Sequence, residues 1–280
     1  MITININPVA FSLGALPVRW CGIMVVLAVV AVIVIALREA KRVGLDVEHI
    51  YSVGLWAIIS GIIVSRLFHV IDKWDYYMAH SEQIIRFEGL TVYGAVIGAL
   101  LAVLIYCWVK KLSFWQMGDV IAPGAILGQA IGRIGCLING CCYGLPTSLP
   151  WGVVYTNPGS YCPLDEQFQP TQIYHLLWNL IGFGILWALR RRLKPKGSLF
   201  LLYFAVYAAG DLSIRFLRVG EPFMGLRVFG FGVQQAQLIG IVILAITVPW
   251  LIVRMCRYRA KQLGSAGASK VSRQGRNRGA

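Results

Sequence analysis

Residues 20–37 read WCGIMVVLAVVAVIVIAL, an apolar run without a single charged side chain, and Arg38, Lys41 and Arg42 follow it at once. Crossing a hydrocarbon core takes roughly 20 helical residues. Six more runs reach that length, near Ile50–Val70, Leu90–Val109, Gln116–Ile138, Ile173–Leu189, Ser198–Leu217 and Gln235–Val253. Apolar types make up 58% of the 280 residues and charged types 14%. Soluble domains average about 45–50% and about 25%. A soluble enzyme, a disordered chain and a repeat solenoid are therefore excluded. The reading is an all-α, polytopic membrane protein: seven transmembrane helices in residues 1–261, a small extracytoplasmic head at 145–172, and a tail at 262–280. The first 18 residues lack a basic leader region and a cleavage site, so the first run is read as an uncleaved helix.

The net charge of +14 would suggest nucleic acid in a soluble protein. Here most of the Lys and Arg fall in alternate loops, so topology explains them without any nucleic-acid partner. Arg38, Lys41 and Arg42 follow the first run, and Lys110 and Lys111 the third. Arg190–Lys196 follow the fifth, and Arg254 onward the seventh. Positive loops stay inside, which predicts an outside N-terminus and a cytoplasmic C-terminus. Gly264–Ala280, rich in Gly, Ser, Ala and Arg, reads as a disordered basic tail that touches anionic lipid. The segment Leu145–Gln172 carries five prolines and cannot be one helix.

Several arginines sit where the charge rule does not want them. Arg66, Arg133, Arg215 and Arg218 close the second, fourth and sixth runs, and Arg19 opens the first. Arg at a helix end can simply snorkel to the interface, the plain reading for Arg19 and Arg218. Arg133 differs: it lies 22 residues beyond Lys111, about 33 Å along a helix, and apolar Ile134, Leu137 and Ile138 follow it. A guanidinium near the bilayer centre costs about 2.5–3.5 kcal/mol on the insertion scale, and such groups face a cavity and a partner. Arginines gathered at one depth suit a phosphate, which the guanidinium fork binds in two-pronged fashion. Gly124, Gly128 and Gly132, spaced by four, predict a smooth stripe for helix packing, and Gly94 and Gly98 repeat the spacing.

The segment Gly132-Arg133-Ile134-Gly135-Cys136-Leu137-Ile138-Asn139-Gly140-Cys141-Cys142-Tyr143-Gly144 resembles the signature of the prolipoprotein diacylglyceryl transferase family. That signature is a GRxGxFxNG core closed by an aromatic and a Gly. Arg19-Trp20-Cys21-Gly22, Gly94-Ala95-Val96-Ile97-Gly98, Asp119 with Ala122-Pro123, and Pro170-Thr171-Gln172-Ile173-Tyr174 resemble its other stretches in the same order. The resemblance implies a bacterial inner-membrane enzyme, multi-pass and monomeric. It would move a diacylglyceryl group from phosphatidylglycerol to the lipobox cysteine of a prolipoprotein signal peptide. A thioether would form and glycerol phosphate would leave. The substrate thiol must ionise, from a reference pKa near 8.5, and the leaving phosphate gains charge that fixed guanidinium groups stabilise. Neither a metal nor an organic cofactor is expected.

The resemblance makes Arg133 the phospholipid-binding arginine. Arg133, Tyr93 and Arg215 become candidate catalytic residues. Arg133, Asn139, Gly144, Arg66, Gln172, Tyr174, Asp211 and Arg218 become candidate substrate-binding residues. Asn139 either hydrogen-bonds the headgroup or caps a helix end, and Gly144 either belongs to the site or serves a turn. Tyr93, where some members carry His, either donates a hydrogen bond or, with its pKa of about 10 strongly lowered, ionises; the plain alternative is an interfacial aromatic. This chain departs from the pattern at Cys21 for a Tyr, and at Cys141 and His175 for acids. In the sixth run the usual Arg-then-Glu order appears as Asp211 then Arg215. Positions four apart share a helix face, so an ion pair is expected there.

The seven cysteines form no Cys-x-x-Cys and show no His/Cys spacing of a zinc site. Cys136, Cys141, Cys142 and Cys162 fall near the outer face, where a disulfide is open to them. Two rival functions remain. One is an outer-leaflet anion or phospholipid transporter or binding protein lined by the arginines. The other is a membrane thiol oxidoreductase using Cys141 and Cys142. A retinal-type receptor is excluded, because the seventh run has no Lys for a Schiff base.

Overall fold

In this computed structural model the described residues are 2–14, 16–80, 82, 91–219, 227–228 and 231–277. The described chain is mostly helical: α1 (Trp20–Val43), α2 (Val47–Asp72), α3 (Trp74–Ala79), α4 (Val92–Val109), α5 (Phe114–Asn139), α6 (Thr171–Leu189), α7 (Ser198–Arg215) and α8 (Gln235–Asn277). Each of the seven apolar runs falls on a helix. Six are long and apolar enough to cross a membrane, and the remaining one, on α4, is the shorter stretch Gly94–Val109. Large apolar side chains such as Val26, Ile63, Ile105, Ile181 and Val242 stand on the outer surface. So much exposed apolar area is untenable in water and is what lipid-facing helices present. The short α3 was not expected. The backbone of α8 is helical through Asn277, where composition predicts disorder; the Ala, Lys, Gln and Arg spaced along that stretch are good helix formers. The Tyr93 side chain, residues 81 and 83–89 of the Asp72–Gly89 loop, most of Gly220–Gly232, and the side chains past Gln262 lie outside the described residues.

The chain divides into two compact units: residues 33–121, and residues 1–32 with 122–280. In the first, α2 packs on α4. Ser60 Oγ donates to the Gly98 carbonyl at 2.9 Å and Ser65 Oγ to that of Thr91 at 2.7 Å, while Thr91 Oγ1 donates back to Ser65 O at 3.1 Å. A Cβ on Gly98 would lie 2.5 Å from Ser60 O, and one on Gly94 2.6 Å from Ser65 Cα. Small residues let two backbones approach where lipid offers no hydrophobic drive to do so. Below this contact Ala36, Ala40, Ile50, Val53, Cys107 and Met117 form a buried cluster.

In the other unit α5 meets α1 closely at Gly128, where a Cβ would lie 2.8 Å from Val32 Cγ2, and at Gly135, 3.0 Å from Cys21 Cα. A Cβ on Gly132 would have nothing within 4 Å. Beyond Gly128 the close approach therefore returns at Gly135, seven residues or two helical turns on, and not at Gly132 as the stripe suggested. Gly182 of α6 lets Ile126 of α5 and Val206 of α7 close on it, and α7 also packs on α8.

This second unit also carries short strands that the all-helical reading had no signal for. β1 (Ile2–Ile4) pairs in parallel with β4 (Val153–Tyr155), which pairs antiparallel with β5 (Gln167–Phe168). β2 (Val9–Leu13) and β3 (Leu16–Arg19) make a hairpin, and β6 (Arg227–Val228) pairs with β7 (Phe231–Gly232). Val153, Tyr155, Cys162 and Phe168 are the core of the head. Tyr155 Oη donates to the Leu137 carbonyl at 2.8 Å, fastening the head to the end of α5.

Gly98→Ala is expected to destabilise by about 1–3 kcal/mol, since the methyl group must push a backbone carbonyl aside. Gly184→Ala, with open space around it, is expected to leave stability unchanged or slightly raised. Thermal unfolding in detergent checks both; equal melting temperatures for the two variants would contradict the α2–α4 contact.

Candidate functional site

Arg133 stands one turn and a half before the end of α5. Its side chain is half-buried and makes no hydrogen bond or ion pair with the described residues. Tyr207, Cys136, Cys142 and Asp211 act on it electrostatically. A guanidinium set in an apolar helix without a direct partner is poised for a ligand. Arg218, just past α7, likewise has no side-chain partner among the described residues. Its backbone forms a bridge with Gly144.

The expected ion pair is present: Arg215 Nε lies 2.6 Å from Asp211 Oδ2, one turn apart on α7. Arg215 Nη1 also donates to Gln234 Oε1 at 3.4 Å. Asp211 Oδ1 faces His175 Nε2 at 3.9 Å, and neither atom has a hydrogen-bond partner. The amide of Asn179, one turn beyond His175, is also buried and unpaired at both its atoms. Buried polar groups are nearly always satisfied, so this row needs water or a ligand. Arg133, Arg215 and Arg218 all act on His175, so among the described residues one acid, Asp211, and three guanidinium groups share the region. The balance favours an anion.

The signature turn is held from several sides. Gly140 at φ 70° and Cys142 at φ 62° reverse the chain after α5. Gln172 Nε2 donates to Cys141 O at 2.8 Å and Thr171 Oγ1 to Cys142 O at 2.7 Å. Asn139 is buried, and its Oδ1 accepts from Arg19 Nη1 at 3.2 Å, with the Arg19 guanidinium 4.9 Å above the Tyr161 ring. A Cβ on Gly144 would sit 2.6 Å from Gln169 O and 2.7 Å from Leu217 O. Gly144 thus lets the turn lie against the segment that carries Arg218. Tyr174 Oη accepts from Trp151 Nε1 at 2.9 Å. Asn139, Gly144, Gln172 and Tyr174 are therefore engaged with the protein, while the guanidinium groups of Arg133 and Arg218 have no hydrogen-bond partner among the described residues. Arg66 and Tyr93 belong to the other unit, where the Arg66 guanidinium lies 5.1 Å from the Tyr77 ring.

All seven cysteines are free thiols. Cys162 is buried in the head, and burial pushes its pKa up to about 12. The sulfur atoms of Cys136, Cys141 and Cys142 lie within 4.8 Å of one another. Hydrogen bonds from Cys136 and Cys141, with the charges of Arg218 and Arg133, draw the Cys142 thiol below the ordinary thiol range. Sequence reasoning missed Thr171, Tyr207, Asn179 and Gln234. Thr171 and Asn179 were in principle visible as polar residues in an apolar run. Nothing in the sequence marks Gln234. A hollow lined by Pro195, Trp250, Arg254, Arg257 and Lys261 holds no thiol or acid and offers no chemistry of this kind.

The sequence model of the family described as "Prolipoprotein diacylglyceryl transferase" matches residues 8–253. Two curated relatives, both named phosphatidylglycerol–prolipoprotein diacylglyceryl transferase, are the proteins of Dehalococcoides mccartyi and Acaryochloris marina. The first is 42% identical over 91% of this chain and 96% of its own length. The second is 36% identical over 88% and 90%. The Listeria monocytogenes protein of the same name is 36% identical over 86% and 88%. A match from the N-terminal hairpin to the last apolar run, together with relatives aligned over most of both chains, places this chain in the prolipoprotein diacylglyceryl transferase family.

Proposed function

We propose that this membrane protein transfers the diacylglyceryl group of phosphatidylglycerol to the lipobox cysteine of prolipoprotein signal peptides. A thioether forms and glycerol phosphate is released. The observation that carries the reading is the Arg133 guanidinium, unpartnered among the described residues, beside the buried and unpaired His175 Nε2 and Asp211 Oδ1. Arg133 binds the phosphate, and Arg218 adds a second charge. The unpaired polar atoms of His175, Asp211 and Asn179 take up the hydroxyl groups of the headgroup glycerol.

The chemistry follows from that placement. The substrate sulfur attacks the glyceryl carbon next to the phosphate oxygen, the carbon–oxygen bond breaks, and its electron pair stays on the leaving phosphate. Guanidinium charge stabilises the leaving group most where water is excluded. Arg215, held by Asp211 and Gln234, positions α7 and its neighbours in the site. Asn139, Gly144 and Gln172 set the turn, and Tyr174 joins helix to head. The protein acts as a monomer in the bacterial inner membrane, with its N-terminus outside and its C-terminus and basic tail cytoplasmic.

The test is purified protein, phosphatidylglycerol vesicles and a lipobox peptide, read by mass spectrometry. The peptide is expected to gain a diacylglyceryl group on its cysteine; no mass gain, with anion or lipid movement instead, favours the transporter reading. Arg133→Ala is expected to lower the rate at least 100-fold, about 3 kcal/mol of lost charge stabilisation. Arg133→Lys should recover only part, because an ammonium lacks the fork. A variant at Arg133 with full activity contradicts the assignment.

Asp211→Asn leaves Arg215 without its counter-ion and is expected to cost stability as well as rate. Arg215→Lys keeps the charge and is expected to lose less activity than Arg133→Lys. The reverse order would mean that Arg215, not Arg133, meets the phosphate.

A further inference from the structure

The three thiols at the signature turn are unused by the reaction as derived so far. Cys136 lies in the last turn of α5, and Cys141 and Cys142 return beside it because Gly140 and Cys142 both adopt positive φ. A left-handed backbone at a residue other than Gly is uncommon and marks a turn built for a purpose. The carbonyls of both turn cysteines are pinned, Cys141 by Gln172 and Cys142 by Thr171. The backbone N–H of Cys141 donates to Cys136 O at 3.2 Å. The three sulfur atoms are thereby gathered within 4.8 Å of one another, and all three residues are half-buried, reachable from outside.

Zinc–sulfur bonds are about 2.3 Å, so sulfur ligands on one zinc sit about 4 Å apart. The gathered sulfurs need little further movement. Three protein ligands with an open fourth position are the arrangement of a catalytic zinc. Three thiolates on a divalent ion carry one net negative charge, and the guanidinium groups of Arg133 and Arg218 act on this cluster. The surroundings match the charge of the loaded site.

We propose that Cys136, Cys141 and Cys142 bind one zinc ion, and that its fourth position takes the substrate's lipobox thiol. This rests on the transfer reaction proposed above and deepens it, by naming what activates the nucleophile. On binding the metal the substrate thiol releases its proton to water. The bound thiolate attacks the glyceryl carbon: the sulfur–carbon bond forms, the carbon–oxygen bond breaks, and the electron pair leaves with the phosphate held by Arg133. No redox change occurs, and the three protein sulfurs stay on the metal throughout.

The test uses the full chain in nanodiscs, reduced, freed of metal with a chelator, and reloaded with zinc or cobalt chloride. One zinc per chain is expected by elemental analysis. Cys136→Ser, Cys141→Ser and Cys142→Ser should each weaken zinc binding at least tenfold, with melting temperatures recorded to exclude unfolding. Cys256→Ser, at an exposed position, should bind like the parent. Cobalt-loaded protein should show a thiolate-to-cobalt absorption band that shifts when a lipobox peptide is added, and not when its cysteine is replaced by serine. Absence of zinc from the parent protein, or a band that ignores the peptide thiol, overturns the proposal. So does full transfer by the metal-free protein, which leaves the transfer reaction itself standing. Transfer absent from both metal-free and reloaded protein removes the reaction and this use of the metal together.

Discussion

A positive charge in a hydrocarbon environment has to be answered, and the answer organises this molecule. Arg133 stands near the end of an apolar helix that spans most of a bilayer, yet no described side chain bonds to it. Left alone, such a group costs a few kcal/mol. The adjacent helices bring Arg218 and Arg215 within reach of the same His175, and among the described residues Asp211 alone offsets the three cations. A site arranged like this is unfavourable when empty and favourable with an anion in it. The binding energy of a phosphate headgroup is thereby prepared in advance, which is what electrostatic preorganisation means for a reaction that expels a phosphate.

The rest of the unit serves to hold that charge in place. Gly128 and Gly135 let α5 lie against α1, and Gly182 brings α6 close to α5 and α7. Tyr155 ties the small β head to Leu137, so the end of α5 cannot drift. Gly144 permits two segments to touch backbone to backbone, which fixes the place of Arg218. The polar residues that look like ligands in the sequence divide by this test. Asn139 and Gln172 spend their hydrogen bonds on Arg19 and on the turn; Arg133, His175 and part of Asp211 have theirs unspent.

The helices were legible because length and apolarity dominate in lipid, and each of the seven runs lies on a helix. The Asp211–Arg215 pair was legible because a spacing of four fixes a shared face. The strands were not: β5 is two residues long, and β1 is completed by β4 from far along the chain. A local pattern cannot announce a partner so distant. The glycine stripe misled for a related reason. Spacing by four identifies a face, but only the neighbouring helix decides which glycines on it are touched, and Gly132 is not. The cysteine cluster was equally hidden, since no short motif joins Cys136 to Cys141 and Cys142. Two positive φ angles bring them together.

The central claim, that Arg133 awaits a phosphate, is tested most directly by a cryo-electron microscopy structure of the protein in phosphatidylglycerol nanodiscs. The account predicts headgroup density with its phosphate within hydrogen-bond distance of the Arg133 guanidinium and close to Arg218. Lipid phosphates confined to the bulk bilayer surface, with Arg133 directed into acyl chains or open water, would contradict it.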